Sequence, residues 1–131
     1  MHILLLEDNE ADVFLFREAV RTCPIAVELT VADDGEKSLK LLQQDQFKPD
    51  LIILDLNLSF MSGHDFLQQY CTGPHSPPVV VLSGSRNAKD RELALELGAR
   101  EYVRKPSELS DFITAVHGIL ERWGNQGTGL P

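Results

Sequence analysis

Residues 50–57 constrain the fold of this chain more than any other segment. The four residues 51–54 are all aliphatic, and a short run of this kind is typical of a strand buried on both faces of a parallel sheet. Asp55 follows at the point where that strand should end. Because ligands bind at the carboxyl ends of strands in open parallel sheets, the segment predicts a carboxylate held rigidly in a crevice.

Three further segments have the composition of strands, namely residues 3–6, 79–82 and 100–104. All strands of a doubly wound parallel sheet end at the same edge, so the polar residues that follow these segments should meet Asp55 there. Those residues are Glu7 and Asp8, Ser83, and Lys105.

The remaining segments complete an alternating pattern of strands and helices. Residues 27–31 alternate apolar and polar side chains, which is typical of a strand at a sheet edge. The segments between the strands carry apolar residues at helical spacing, which predicts helices there. Five strands that alternate with helices predict an α/β fold with a parallel sheet covered on both faces. We assign residues 1–123 to this domain and residues 124–131 to a flexible tail.

Composition excludes several classes of function. A net charge of −8 argues against a nucleic-acid surface, which would need a basic patch. No apolar run is long enough to span a membrane, and no signal peptide is visible. Cys23 and Cys71 lack the spacing of metal or redox motifs, which favours a reducing, cytoplasmic location.

Several carboxylates in one crevice require a positive charge. A pair about 4 Å apart repels by about 4 kcal/mol at an effective dielectric constant near 20. Lys105 or a divalent cation could offset this, and ligands that are all oxygen favour Mg²⁺. A carboxylate beside Mg²⁺, an ammonium group and a hydroxyl group can act as nucleophile and accept a phosphoryl group.

At this point the chain resembles a known family, the response-regulator receiver domains of two-component signalling. Four motifs carry the resemblance, in order along the chain: residues 3–8, 54–57, 81–84 and 102–106. Residues 7–13 are similar to a subgroup of stand-alone receivers of the chemotaxis-regulator type, some of which partner phytochrome-type histidine kinases. The resemblance implies a flavodoxin-like receiver fold with strand order 2-1-3-4-5 and five helices.

The resemblance implies a metal site and a phosphoacceptor. Glu7, Asp8 and Asp55 would hold Mg²⁺ together with the backbone carbonyl of Asn57. Asp55 would receive a phosphoryl group from the phosphohistidine of a histidine kinase, or from a phosphotransfer protein, and would later lose it by autodephosphorylation.

Three other residues would respond to the phosphoryl group. The resemblance implies that Lys105 contacts it, that Ser83 donates a hydrogen bond to it, and that Tyr102 changes rotamer in concert. A single-domain response regulator of this kind, monomeric or dimeric, would signal through protein–protein contacts. It would bind neither nucleic acid nor membrane directly, and its downstream target stays open.

The chain departs from the common family pattern in the loop after Asp55. Ser59 stands where the family usually has a proline, and the bulky Phe60 follows. The effect of these two residues on the rigidity of the loop and on its contact with the kinase stays open. The resemblance also implies a cis peptide bond between Lys105 and Pro106.

Two alternatives use the same residues. The first is a Mg²⁺-dependent phosphohydrolase of the haloacid-dehalogenase type, which also has an aspartate nucleophile. That family has a second aspartate, a general acid, at the position of Asn57, so we expect no turnover of an external substrate. The second is a receiver-like binding module that is not phosphorylated.

Overall fold

Strands and helices alternate along the whole described chain. The computed structural model describes residues 1–59, 61–70 and 76–124. The strands are parallel and lie in the order β2-β1-β3-β4-β5, so the predicted α/β fold and strand order are confirmed. In chain order the elements are β1 (His2–Leu6), α1 (Glu10–Arg21), β2 (Glu28–Ala32), α2 (Gly35–Leu42), β3 (Leu51–Leu54), α3 (Gly63–Gln69), β4 (Val79–Ser83), α4 (Ala88–Glu96), β5 (Glu101–Arg104) and α5 (Leu109–Gly124).

The sheet is buried because its central strands are apolar on both faces. Alternate side chains of β1, β3 and β4 point to opposite sides, so each strand contributes to two cores. One core packs against α1 and α5 and the other against α2, α3 and α4. The edge strand β2 is partly exposed, as its alternating sequence predicts.

Two details differ from the sequence-based expectations. The helical spacing of apolar residues near the C-terminus predicts that Leu109 lies on a buried stripe, but Leu109 is 52% exposed because it is the first residue of α5. The implied cis bond before Pro106 is wrong, because every peptide bond within the described residues is trans. The trans form is the more stable isomer before proline by about 0.5–1 kcal/mol.

Several predictions fall partly or wholly outside the described residues. Phe60 and Cys71 lie outside them, and so does the predicted tail apart from Gly124, which belongs to α5. The division into a domain and a flexible tail therefore stays a prediction. None of the described helices has both the length and the apolar character needed to cross a bilayer.

Candidate functional site

Backbone hydrogen bonds hold the strand ends together at one edge of the sheet. The N–H of Asp55 donates to the carbonyl of Leu6 over 3.1 Å, which places Asp55 beside the residue that follows β1. The N–H of Lys105 donates to the carbonyl of Ser83 over 2.7 Å. The positions of Asp55 and Lys105 are therefore set by the hydrogen bonds that extend the sheet.

Three carboxylates meet at this edge. Glu7 and Asp55 are buried, at 3% and 6% exposure, and Asp8 is half-buried. Carboxylate oxygens of Glu7, Asp8 and Asp55 all lie within 4.8 Å of one another. A compact set of carboxylate oxygens suits a hard divalent cation, and the donor set therefore fits Mg²⁺.

Lys105 lies in the same crevice and contacts three acids. Its Nζ is 2.6 Å from Glu7 Oε1, 2.9 Å from Asp12 Oδ2 and 3.5 Å from Asp55 Oδ2. Burial by itself would lower the pKa of Lys105, but the hydrogen bonds to Glu7 and Asp12 and the charge of Asp55 together raise it. Lys105 is therefore a charged ammonium that partly neutralises the crevice.

Asp12 belongs to the site although the sequence analysis did not identify it. It lies in the first turn of α1, where the side chain of Asn9 caps the helix by accepting the N–H of Asp12 over 3.0 Å. Because α1 begins four residues after the end of β1, an acid in its first turn can reach the strand ends. The short connection between Leu6 and Glu10 is the feature from which the position of Asp12 near the strand ends could have been predicted.

The proton affinity of Glu7 is unusual. Burial, reinforced by a hydrogen bond with Asp55, raises the pKa of Glu7 from 4.5 to about 7, although Lys105 acts in the opposite direction. Near neutral pH the metal-free site therefore holds Glu7 partly protonated. A shared proton, like the Lys105 ammonium, reduces the repulsion among the carboxylates.

Glu7→Gln should therefore change how stability depends on pH. A pKa raised in the folded state means that folded Glu7 binds more protons than unfolded Glu7 between pH 4.5 and about 7. The wild-type free energy of unfolding should fall, relative to the variant, by about 2–3 kcal/mol between about pH 5 and about pH 8. Urea unfolding in the presence of EDTA measures this. A difference that stays constant with pH would contradict the raised pKa.

Ser59 holds the third carboxylate. Its backbone N–H donates to Asp8 Oδ2 over 2.9 Å, and its hydroxyl donates to the same oxygen. A proline, the usual residue of the family at this position, has no N–H and could make neither bond. The departure noted in the sequence thus gives Asp8 two donors from the loop that follows Asp55.

Asn57 and Ser83 lie near Asp55 in different ways. The N–H of Asn57 donates to Asp55 Oδ1 over 3.3 Å, which keeps this part of the loop beside the carboxylates. Ser83 is fully buried at the end of β4, and its Oγ accepts the N–H of Ser85 over 3.3 Å. Within the described residues no hydrogen bond joins Ser83 to Asp55.

Tyr102 is connected to the site indirectly, through Ser85 and Ser83. It is half-buried, and its hydroxyl donates to the backbone carbonyl of Ser85 over 2.9 Å. The N–H of Ser85 in turn donates to Ser83 Oγ, so a chain of two hydrogen bonds connects Tyr102 to Ser83 at the end of β4. The predicted residues therefore form an inner acidic cluster with Lys105 and an outer group that contains Tyr102.

A glycine keeps the loop against the site. A Cβ added at Gly63, the first residue of α3, would lie 2.7 Å from Leu56 Cα and 2.8 Å from the carbonyl oxygen of Asp55. No side-chain rotation can relieve contacts with backbone atoms. The close packing of α3 on the residue after β3 therefore requires glycine.

Gly63→Ala should destabilise the protein by about 1–3 kcal/mol, because the backbone next to Asp55 must move to accept the methyl group. Gly84→Ala is the matched control, since a Cβ there would meet nothing within 4 Å. Thermal or urea unfolding of both variants measures the effect. Equal stability of the two variants would show that the loop yields without cost.

The family model and the similar proteins that match this chain all describe response regulators. Residues 3–117 match the family model described as the response regulator receiver domain. The response regulator Rcp1 of Synechocystis sp. is 37% identical over 128 residues, which cover 92% of this chain and 87% of Rcp1. The cell cycle response regulator CtrA of Brucella ovis is 31% identical over 93% of this chain, which spans 51% of CtrA.

The solved structures that are similar to this chain include response regulators. The crystal structure of the phosphorylated cyanobacterial phytochrome response regulator RcpA is 35% identical, with a TM-score of 0.87 over 97% of this chain and 96% of that one. The Mn²⁺-bound form of Rcp1 is also 35% identical, with a TM-score of 0.82 over 99% of this chain and 98% of that one.

Proposed function

The chain belongs to the response regulator receiver family of two-component signalling, and we propose that it is a switch that accepts a phosphoryl group on Asp55. The observation that carries this proposal is the convergence of three carboxylates with the Lys105 ammonium in one crevice. Asp55 is one of the two buried acids of this group, and it directly follows β3. The donor is the phosphohistidine of a histidine kinase or of a phosphotransfer protein.

In the transfer step, a carboxylate oxygen of Asp55 attacks the phosphorus atom of the phosphohistidine. The new O–P bond forms as the P–N bond breaks, and the electron pair of that bond returns to the imidazole ring of the donor. Asp55 must be ionised to attack. Lys105, whose Nζ is 3.5 Å from Asp55 Oδ2, can pair with the phosphoryl oxygens after the transfer.

Glu7, Asp8 and Asp55 would hold Mg²⁺, with the carbonyl of Asn57 as a further ligand. When bound, the cation supplies positive charge that stabilises the oxygens of the transferring group. The Mn²⁺-bound form of Rcp1 supports a divalent cation in a similar protein. Without it, the chain has Lys105 and the proton on Glu7 to balance the same carboxylates.

After transfer, the phosphoryl group adds charge and acceptor oxygens at one point of the sheet edge. Ser83 is the buried hydroxyl on the neighbouring strand that would donate to it. A movement of Ser83 would reach Tyr102 through Ser85, because two hydrogen bonds join these residues. The surface around Tyr102 would then differ between the two states, and partner proteins would bind one state better.

Similarity to Rcp1 and RcpA suggests the type of partner. The RcpA structure is described as a phytochrome response regulator. We infer that the donor of this chain is a phytochrome-type histidine kinase in the cytoplasm. The chain would release phosphate by autodephosphorylation rather than turn over an external ester, because Asn57 replaces the general acid of the related phosphohydrolases.

The test is incubation of the purified protein with acetyl phosphate and Mg²⁺, followed by intact mass spectrometry. The expected result is a protein heavier by one phosphoryl group, which is absent when EDTA replaces Mg²⁺. A protein that binds Mg²⁺ but gains no phosphoryl group under these conditions would contradict the proposal and favour the binding module that is not phosphorylated.

Ser59→Pro should weaken Mg²⁺ binding about tenfold, because hydrogen bonds to a metal-binding carboxylate position it and their loss lowers metal affinity. Ser59→Ala keeps the backbone N–H and should have a smaller effect. Isothermal titration calorimetry with Mg²⁺ measures both. Tighter binding by the proline variant would show instead that Ser59 competes with the cation for Asp8.

A further inference from the structure

Of the three acids that contact Lys105 in the described structure, Asp12 alone lies outside the proposed metal site. The compact set of carboxylates that fits Mg²⁺ consists of Glu7, Asp8 and Asp55. Yet the Lys105 ammonium donates to Asp12 Oδ2 over 2.9 Å, a shorter distance than the 3.5 Å to Asp55 Oδ2. An acid of α1 therefore contacts the lysine on which the proposed transfer relies, without being part of the metal set.

The side chain of Lys105 reaches across the sheet. Lys105 follows β5, whereas Glu7 follows β1, and β3 and β4 lie between those two strands. A lysine side chain is a flexible stem with a compact charge at its end, so the groups that the ammonium contacts fix its position. Within the described residues, its hydrogen bonds are those to Glu7 and Asp12. These two acids therefore determine where the ammonium lies.

The two hydrogen bonds leave one N–H of Lys105 for Asp55. An ammonium group has three N–H donors and no acceptor. Two of these donors are used by Glu7 Oε1, over 2.6 Å, and by Asp12 Oδ2. Asp55 Oδ2, at 3.5 Å, forms an ion pair with the ammonium but no hydrogen bond within the described cluster. A phosphoryl oxygen on Asp55 would supply an acceptor for the third N–H.

Asp12 is held in place because the start of α1 is tied to the end of β1. The Asn9 side chain accepts the N–H of Asp12 over 3.0 Å, and the N–H of Asn9 donates to Glu7 Oε2 over 3.3 Å. With the two bonds of Lys105, these contacts close a ring of hydrogen bonds that includes both acids. The helix is also anchored by Phe16, which is buried in the core that α1 shares with the sheet and α5.

Glu7 takes part in two interactions of the site, whereas Asp12 takes part in one. In the proposed function Glu7 is a ligand of Mg²⁺, and a carboxylate beside a divalent cation holds an ammonium group less strongly because the two positive charges repel. Asp12 lies outside the metal set, so it can keep its bond to Lys105 in the metal-bound protein. Asp12 is therefore the acid best placed to hold the ammonium while Asp55 reacts.

We propose that Asp12 is a positioning residue, which holds the Lys105 ammonium so that its third N–H faces the phosphoryl group that Asp55 accepts. Asp12 acts through Lys105 and touches neither the phosphoryl group nor the cation. The inference rests on the proposed function, because it concerns the same transfer step. No bond to phosphorus forms or breaks at Asp12. With acetyl phosphate as donor, the phosphoryl group moves from an oxygen of the acetyl carboxylate to an oxygen of Asp55, and acetate leaves.

Asp12→Ala should slow the phosphorylation of Asp55 by acetyl phosphate about tenfold at saturating Mg²⁺, because a misplaced ammonium stabilises the transferring group less well. The variant should remain folded, since the N-cap bond of α1 is made to the backbone N–H of residue 12. Asp12→Asn, whose amide oxygen can still accept from Lys105, should recover part of the rate. Intact mass spectrometry at a series of times measures these rates.

Glu10→Ala is the matched control. Glu10 is an exposed acid in the same first turn of α1, so its replacement removes the same charge and should leave the rate at the wild-type level. Isothermal titration calorimetry should give the same Mg²⁺ affinity for Glu10→Ala and Asp12→Ala, because each variant loses one acid outside the metal set.

A Lys105→Met background separates positioning from a purely structural role. If Asp12 acts through Lys105, Asp12→Ala should have no further effect on the rate once the ammonium is absent. Beryllofluoride, which mimics the phosphoryl group, provides a readout without transfer. It should bind Asp12→Ala more weakly than the wild type, and it should bind Lys105→Met equally with and without Asp12→Ala.

Three results would overturn the proposal. A faster rate in Asp12→Ala would mean that Asp12 holds Lys105 away from the phosphoryl group. A further loss of rate in the Lys105→Met background would mean that Asp12 acts without the lysine. A much weaker Mg²⁺ affinity in Asp12→Ala than in Glu10→Ala would make Asp12 a metal ligand.

The same experiment distinguishes failure of this inference from failure of the proposed function. A wild-type protein that gains no phosphoryl group would contradict both. A wild-type protein that is phosphorylated at the same rate as Asp12→Ala would refute the positioning role alone.

Discussion

An Asp55→Asn variant is expected to acquire no phosphoryl group from acetyl phosphate in the presence of Mg²⁺. An amide oxygen is a far weaker nucleophile than a carboxylate, so the O–P bond does not form. The variant should remain folded, because the amide oxygen can still accept the N–H of Asn57 and the buried strand before it is unchanged. Intact mass spectrometry after a fixed incubation measures the adduct.

Asp65→Asn is the matched control for this experiment. Asp65 is an exposed acid in the first turn of α3, and its replacement should leave the yield of phosphorylated protein unchanged. An adduct that persists in Asp55→Asn at the wild-type level would place the phosphoryl group on another residue. In that event the convergence of acids at the sheet edge would need a different explanation.

Among the variants described, Lys105→Met should lower the free energy of unfolding the most in metal-free protein at neutral pH. Removal of one partner from a buried set of charges costs about 3–5 kcal/mol, because the remaining charges lose their compensation. Here the ammonium contacts Glu7 and Asp12 and lies near Asp55, so its loss leaves these carboxylates without a cation within the described cluster. Methionine keeps most of the side-chain volume, which separates the effect of charge from that of packing.

Mg²⁺ should recover part of this loss. A cation bound to the acidic cluster stabilises the folded state, and it should raise the midpoint of unfolding more in Lys105→Met than in the wild type. Lys89→Met is the control, since Lys89 is exposed at the start of α4 and should change stability little. A Lys105→Met protein that is as stable as the wild type in EDTA would show that the carboxylates do not need the ammonium.

Much of the fold could be predicted because the local signals agree with the tertiary structure. The aliphatic runs that became β1, β3 and β4 are buried on both faces, as such runs require in a parallel sheet. The apolar pattern does not locate helix ends, because these depend on caps such as Asn9 and Asn87, whose side chains accept backbone N–H groups of the first turn.

The site was predictable to the extent that it depends on strand ends. Glu7, Asp8 and Asp55 follow strands, and parallel topology brings such residues to one edge without further information. Asp12 was missed because it lies on a helix, where its direction depends on how α1 packs rather than on a strand register. Sequence periodicity reports which face of a helix is apolar but not which acid reaches a distant lysine.

Two other features depend on details that sequence patterns do not carry. Ser59 was recognised as a departure from the family, but its bonds to Asp8 follow from the path of the loop. The trans bond before Pro106 contradicts the expectation taken from the resemblance. Peptide isomers and loop hydrogen bonds are determined by small energy differences, so likeness to a family is a weaker guide to them than to the sheet.

Identification of the modified residue tests the role of Asp55 most directly. Borohydride reduces an aspartyl phosphate to homoserine, which remains in the chain and can be located by peptide sequencing in a mass spectrometer. After treatment with acetyl phosphate and Mg²⁺, homoserine is expected at position 55 and at no other aspartate. Homoserine at Asp8 or Asp12 instead, or a phosphoryl group recovered on a histidine, would contradict the assignment of Asp55 as the phosphoacceptor.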